Sequence, residues 1–178
     1  MLSDILRKSG FLLNKRKNIF FTAIIAIVVA VFFAPMVRCL SISNRKNASE
    51  RYLSRNALSG FVISYTHSVN KGRVHDFYEC RKNMLVLTET HFVNYGAGMS
   101  EAAETADAFF EVLDDGYAIK NLERKLKKMT MAVGVVAEHS ILIHNTELFL
   151  KSLFLPQTSL VFEIKRVSMI EYLFANHI

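Results

Sequence analysis

Phe61-Val62-Ile63-Ser64-Tyr65-Thr66-His67-Ser68-Val69 alternates with period two: Phe61, Ile63, Tyr65, His67 and Val69 make one face of a strand, and Ser64, Thr66 and Ser68 the other. On this reading His67 sits on the apolar face. Asn70-Lys71-Gly72-Arg73 is a hairpin-type turn into Val74–Arg81, and Lys82-Asn83 turns the chain again into Met84–Val93. Two tight turns between three alternating runs predict an antiparallel meander.

Downstream the alternation breaks over 94–108. Tyr95-Gly96-Ala97-Gly98-Met99 is a tight path that glycine permits, and Ser100 can cap a short helix starting at Glu101. Strand-like runs resume at Phe109–Leu113, cross a turn at Asp114-Asp115-Gly116, and continue through Tyr117–Leu122, Met129–Val136, Ser140–His144, Glu147–Phe154 and Ser159–Val167. So many strands with so little helix predict a mainly β domain over 59–178, a small antiparallel sandwich or barrel. Ile170–Ile178 is an apolar tail, either a last strand that closes the domain or a docking segment.

Upstream, Ile19–Val37 reads IFFTAIIAIVVAVFFAPMV without a charge, between Lys15-Arg16-Lys17 and Arg38. At about 1.5 Å per residue such a run spans roughly 30 Å, which predicts one transmembrane helix over 19–37 after a basic cytoplasmic tail, 1–18. Pro35-Met36-Val37-Arg38 lacks the small residues of a cleavage site or a lipobox, so the segment is expected to stay uncleaved and Cys39 unlipidated. Residues 38–58 are polar, charged and aperiodic over most of their length and read as a linker. The positive charges on the two flanks tie, and an uncleaved anchor ahead of a long domain favours a cytoplasmic N-terminus and an extracytoplasmic domain.

The chain has 178 residues, 51% hydrophobic and 21% charged, which excludes a disordered or fibrous protein. Its net charge of +6 resides in the first 55 residues, whereas the rest is mildly acidic, so basicity is no argument for nucleic-acid binding. Cys39 and Cys80 provide neither a disulfide within the β domain nor a zinc framework.

Glu89 and His91, two apart in one strand, share a face, as do Leu85 and Leu87. With His67 they are candidates for a metal or polar-ligand site, although no metal-binding spacing is present. Tyr95-Gly96-Ala97-Gly98 lacks the third glycine of a dinucleotide fingerprint. His67 and Ser68 are adjacent in a strand and face opposite sides, which argues against serine-hydrolase chemistry. Lys120, Arg124, Lys125, Lys127 and Lys128 read as a solvated hairpin or strand end.

Three pieces in order, Tyr65-Thr66-His67-Ser68-Val69-Asn70-Lys71, Leu85-Val86-Leu87-Thr88-Glu89 and Tyr95-Gly96-Ala97-Gly98-Met99, followed by Val133-Gly134-Val135-Val136-Ala137-Glu138-His139, resemble the domain of unknown function 1850 family, met beside tripartite ATP-independent periplasmic transporters of the TAXI type. Gly72-Arg73 stands where that family usually has Thr-Pro, and Ser100 where it has proline. The resemblance implies a membrane-tethered accessory or binding domain outside the bacterial inner membrane, single-pass and non-enzymatic, with no catalytic residues, metal or cofactor. Its implied partners are a multi-spanning permease and the permease's solute-binding protein. His67, Ser68, Lys71, Glu89, Tyr95, Gly96, Gly98 and His139 would form the ligand- or partner-binding patch. A structural subunit of an envelope secretion complex shares the same layout, and a metal- or ligand-binding domain using His67, Glu89 and His91 is the further alternative.

Overall fold

The computed structural model describes residues 2–69, 71–93 and 107–178, with side chains from residue 18 onward. They form two compact units, one containing the residues up to Val37 with Val167–Phe174, the other a β body of Arg38–Arg166 with Ala175–Ile178.

In the first unit α1 runs Leu2–Phe33. Its last turn is closed by the Ala34 N–H on the Ala30 carbonyl at 2.9 Å. Pro35 then supplies no N–H and bars helical geometry at the residue before it. The apolar helical run is therefore Ile19–Phe33 rather than the expected Ile19–Val37, and Val37 already begins a strand. Ile19, Phe20, Phe21, Ile25, Ile27 and Phe33 are 60–64% exposed, so the described part of α1 is apolar all round. Among the described residues no helix is long and apolar enough to cross a membrane.

The expected linker is instead a hairpin of the β body, β1 (Val37–Asn44) and β2 (Arg51–Ser54), paired antiparallel from Leu40 opposite Ser54 to Ser43 opposite Arg51. Cys39, Leu40, Ser41, Ile42 and Ser43 are all buried. A strand covered on both faces shows no alternation, and its small serines imitate a solvated segment. After a 3-10 turn at Asn56–Ser59 come the expected meander strands, β3 (Phe61–Thr66), β4 (Arg73–Arg81) and β5 (Met84–Phe92), each antiparallel to the next. Then follow β6 (Phe109–Leu113), β7 (Gly116–Lys120), β8 (Arg124–Leu126), β9 (Lys128–Ala132), β10 (Ser140–Ile143) and β11 (Thr146–Phe149).

The expected strand Glu147–Phe154 stops at Phe149 and gives way to a one-turn helix, α2 (Leu150–Leu153). Leu150 and Phe154, four apart, are both buried, so the period switches from two to that of a helix at this point. β12 (Ser159–Val167) lies as expected. The apolar tail contains α3 (Met169–Leu173), which packs on α1 within the first unit, and β13 (Asn176–His177), which returns to the β body parallel to β2.

The protein is mainly β, with two antiparallel-rich sheets. One has the order β13-β2-β1-β12-β9; the other runs β11-β10-β3-β4-β5-β7-β6, with β8 also beside β5. Leu40, Ile42, Leu160 and Phe162 from the first and Phe61, Ile63, Val74, Leu85, Phe92 and Ile141 from the second belong to one buried cluster. Cys80 is half-buried beside it; its thiol donates to the Ala57 carbonyl, and burial pushes its pKa up to about 11.

Candidate functional site

The second sheet turns one face to the core and carries most of its polar side chains on the other. Alternation along β4 directs Val74 and Tyr78 inward and His75 and Phe77 outward. On β5 the same rule would place Glu89 and His91 with Leu85 and Leu87, toward the core. A bulge prevents this: Phe77 pairs with Glu89 but Tyr78 pairs with Leu87, which leaves Thr88 as the extra residue. Leu85 and Leu87 point inward before the bulge, and beyond it Glu89 and His91 point outward. The bulge also lies where β5 changes neighbours, from β8 at Leu85–Leu87 to β7 at Thr90–Phe92, and the Thr88 carbonyl accepts the Leu122 N–H at 2.9 Å.

Outside, the cross-strand neighbours His75 and His91 are each held by a hydrogen bond. His75 Nδ1 pairs with Ser64 Oγ at 2.7 Å, and His91 Nε2 with Glu89 Oε2 at 3.0 Å. The His91 ring also lies against Phe77, with centroids 4.5 Å apart. Farther along the face Arg73 donates to Ser140 Oγ at 2.9 Å, and Ser140 donates to Glu147 Oε1 at 2.6 Å. Burial, reinforced by Arg73, lowers the pKa of His75 and holds it toward its neutral form. A concavity of about 610 Å³ opens on this face, with Val62, Phe77 and Leu142 as apolar lining and Glu79, Glu89 and His144 as polar lining. A smaller one of about 80 Å³ lies between His75, His91 and Asp115. The face thus sets two carboxylates beside an apolar surface, Glu79 accepting from Arg81 Nε at 2.8 Å and Glu89 paired with His91. Ser64 is buried, so its contact with His75 is not an accessible nucleophile–base pair.

The expected patch is dispersed. β3 ends at Thr66, so His67 is not on the apolar strand face. It begins the β3–β4 turn, where its N–H donates to the Gly72 carbonyl at 2.9 Å and its Nδ1 accepts the Val69 N–H at 3.3 Å. Ser68 and Lys71 are exposed in that turn, Lys71 with a φ of 58°. His139 lies in the loop before β10, stacked on Tyr65 at 5.6 Å, and its Nδ1 accepts the Gly134 N–H at 3.1 Å. Burial lowers its pKa. A Cβ at Gly134 would come within 2.8 Å of the Ala137 Cβ, so this loop needs glycine for the histidine to reach its backbone. Glu89 and His91 are brought together, but His67 lines neither concavity they border. Among the described residues no three His, Cys, Asp or Glu side chains are grouped to hold a metal ion. Tyr95, Gly96 and Gly98 lie outside the described residues.

Asp76, absent from the sequence-based set, stands on β4 between Val74 and Tyr78 on the core side, where it accepts a hydrogen bond from Thr90 Oγ1 at 2.9 Å. Burial raises its pKa to about 6, against the opposing pull of Thr90 and Arg124. The Tyr65 phenol is pushed up to about 12, first by burial and then by Asp76. A carboxylate in the inward register of an otherwise apolar strand was the available signal for it.

These features define a small β domain with an apolar core on one side of its meander and a polar, grooved surface on the other. The family model of the domain of unknown function DUF1850 matches residues 61–150, and the chain belongs to that family. The matched span contains every strand of the second sheet, whereas β1, β2, β12 and β13 of the first lie outside it. No curated protein and no solved structure matches the chain.

Proposed function

We propose that this protein is a membrane-anchored, non-catalytic accessory domain of a TAXI-type tripartite solute transporter. α1 holds it in the bacterial inner membrane, and the β body meets the permease or its solute-binding protein outside the cytoplasm. The observation that carries the reading is the exposed apolar sheath of α1 from Ile19 to Phe33. Each large apolar side chain left in water forgoes about 1.5–3 kcal/mol of burial, and a lipid environment restores it. The apolar run of α1, Ile19–Phe33, measures about 22 Å at about 1.5 Å per residue, with Lys15-Arg16-Lys17 ahead of it and Arg38 after it to meet the two headgroup layers. Anchoring raises the concentration of the β body near a membrane partner without adding a contact. The outward groove with Glu79 and Glu89 is the contact surface of this reading.

Tagged full-length protein, solubilised in mild detergent from its native host, is expected to carry a stoichiometric multi-spanning permease, and Glu79→Lys/Glu89→Lys to release it while the fold persists. Recovery of the protein alone, or only with copies of itself, would overturn the transporter reading and favour the secretion-subunit alternative in the second case.

A further inference from the structure

His139 ties together the loop between β9 and β10. Its Nδ1 accepts the Gly134 N–H at 3.1 Å, and its ring lies against Tyr65 of β3 with centroids 5.6 Å apart. A backbone N–H can only donate, so the atom it meets is an unprotonated nitrogen, and the imidazole is neutral with its hydrogen on Nε2. The loop is pinned on either side by backbone bonds. The Val133 N–H donates to the Thr158 carbonyl at 2.8 Å, and the Thr66 N–H to the Ala137 carbonyl at 2.7 Å. Between these points the histidine tethers Gly134, and the tip that follows, Val135 and Val136, is 62% and 78% exposed.

A proton on Nδ1 has no place in this arrangement, because it would set two donors against each other. The charged and titratable groups on the surrounding elements do not relieve the conflict. Arg73 of β4 donates to the Glu138 carbonyl at 2.9 Å and opposes a second cation beside it. Glu147 of β11 is engaged by Arg73 at 3.5 Å and by Ser140, and Glu138 of the loop itself by Lys151 of α2 at 3.2 Å. The Tyr65 phenol stays neutral, and the β3–β4 turn alongside adds His67 and the exposed Lys71. Burial, reinforced by Arg73, holds the His139 pKa below that of a free imidazole.

We propose that His139 is a proton-released latch: uptake of a proton at Nδ1 breaks its bond to Gly134 and frees the Val135-Val136 tip from the β body. The stability the latch contributes is present above the ordinary imidazole value and is lost as pH falls through the lowered folded one. The latch is therefore closed near neutrality and opens in acid. It belongs to the β body alone and stands whether or not α1 is an anchor. Outside the cytoplasm, where the function proposed above puts the body, it reads the acidity of the medium.

NMR of the full-length protein, labelled with nitrogen-15 in detergent micelles, tests this. At about pH 7.5 the His139 nitrogens are expected to show the Nε2–H tautomer. On titration to about pH 4.5 the Gly134 amide should lose at least about tenfold in protection from exchange, corrected for the intrinsic pH dependence, in step with His139 protonation. His139→Asn puts an oxygen that does not titrate where Nδ1 lies and should keep Gly134 protected throughout. His139→Phe keeps a ring on Tyr65 without an acceptor and should leave Gly134 open at both pH values. A hydrogen on Nδ1 in the neutral protein, or Gly134 protection that persists once His139 is protonated, would overturn the latch, and this wild-type titration decides even where a variant fails to fold. An Asn variant that opens at the same pH as the wild type would equally overturn it, since Glu138, His67 or another group would then drive the change.

Discussion

Asp76 is the residue whose environment most constrains solution behaviour. Its carboxyl is raised from 3.8 to about 6 by burial, so folding favours the protonated form. The associated stability is fully present below the unfolded value and is lost as pH rises through the folded one. Asp76→Asn keeps an acceptor for Thr90 Oγ1 and removes the charge. It should gain on the wild type between about pH 4 and 6 and then hold a constant advantage of about 2–3 kcal/mol, read from urea titrations across that range. An advantage independent of pH would show that the carboxylate is solvated. At this scale the sequence was a poor guide to His67. Extending the alternation past Thr66 put the imidazole on the apolar face, whereas the turn claims its backbone and ring through Gly72 and Val69. Contacts made by a loop closing on itself leave no periodic trace. The pairing of Glu89 with His91 was legible because it needs only their spacing of two.

Among the elements, the Thr88 bulge decides what the outer face of the meander carries. Deleting Thr88 makes β5 alternate strictly while Leu87 stays inward and Glu89 and His91 stay outward, so it removes the bulge and the carbonyl that accepts the Leu122 N–H without moving either side chain to the other face. The variant is expected to fold and to lose about 1–3 kcal/mol, chiefly through loss of the acceptor for the Leu122 N–H. Thr88→Ala, which loses only the 3.2 Å bond from its hydroxyl to the Phe77 carbonyl, should cost about 1 kcal/mol and keep a native circular-dichroism spectrum. A deletion variant that fails to fold would mean that Glu89 and His91 turn inward once the bulge is gone. β3, β4 and β5 were legible because one face of each is buried and tight turns bound them. The bulge was not, since no glycine or proline marks it. β1 and β2 stayed hidden for a different reason: burial on both faces erased the alternation that a half-exposed strand displays, and Ser41 and Ser43 read as polar linker. Pro35 did announce the end of α1, but a hydropathy run overlooks backbone geometry.

For the whole molecule, the neighbours in the first sheet come from opposite ends of the body: β1 lies beside β12, and β2 beside β13. The second sheet, by contrast, is complete within the span that the family model covers. That arrangement sets a timetable for biosynthesis. While the ribosome works from β1 to β12, on the order of ten seconds at roughly 5–20 residues per second, Leu40 and Ile42 have no Leu160 or Phe162 to cover them. Chains translated in vitro and released before Ser159 should stay open to protease throughout β1 and β2, and chains that include Val167 should acquire protection; early protection would mean that the second sheet alone shields the hairpin. A polypeptide that closes so late remains threadable for most of its synthesis, which is the condition a translocation channel imposes on its passengers.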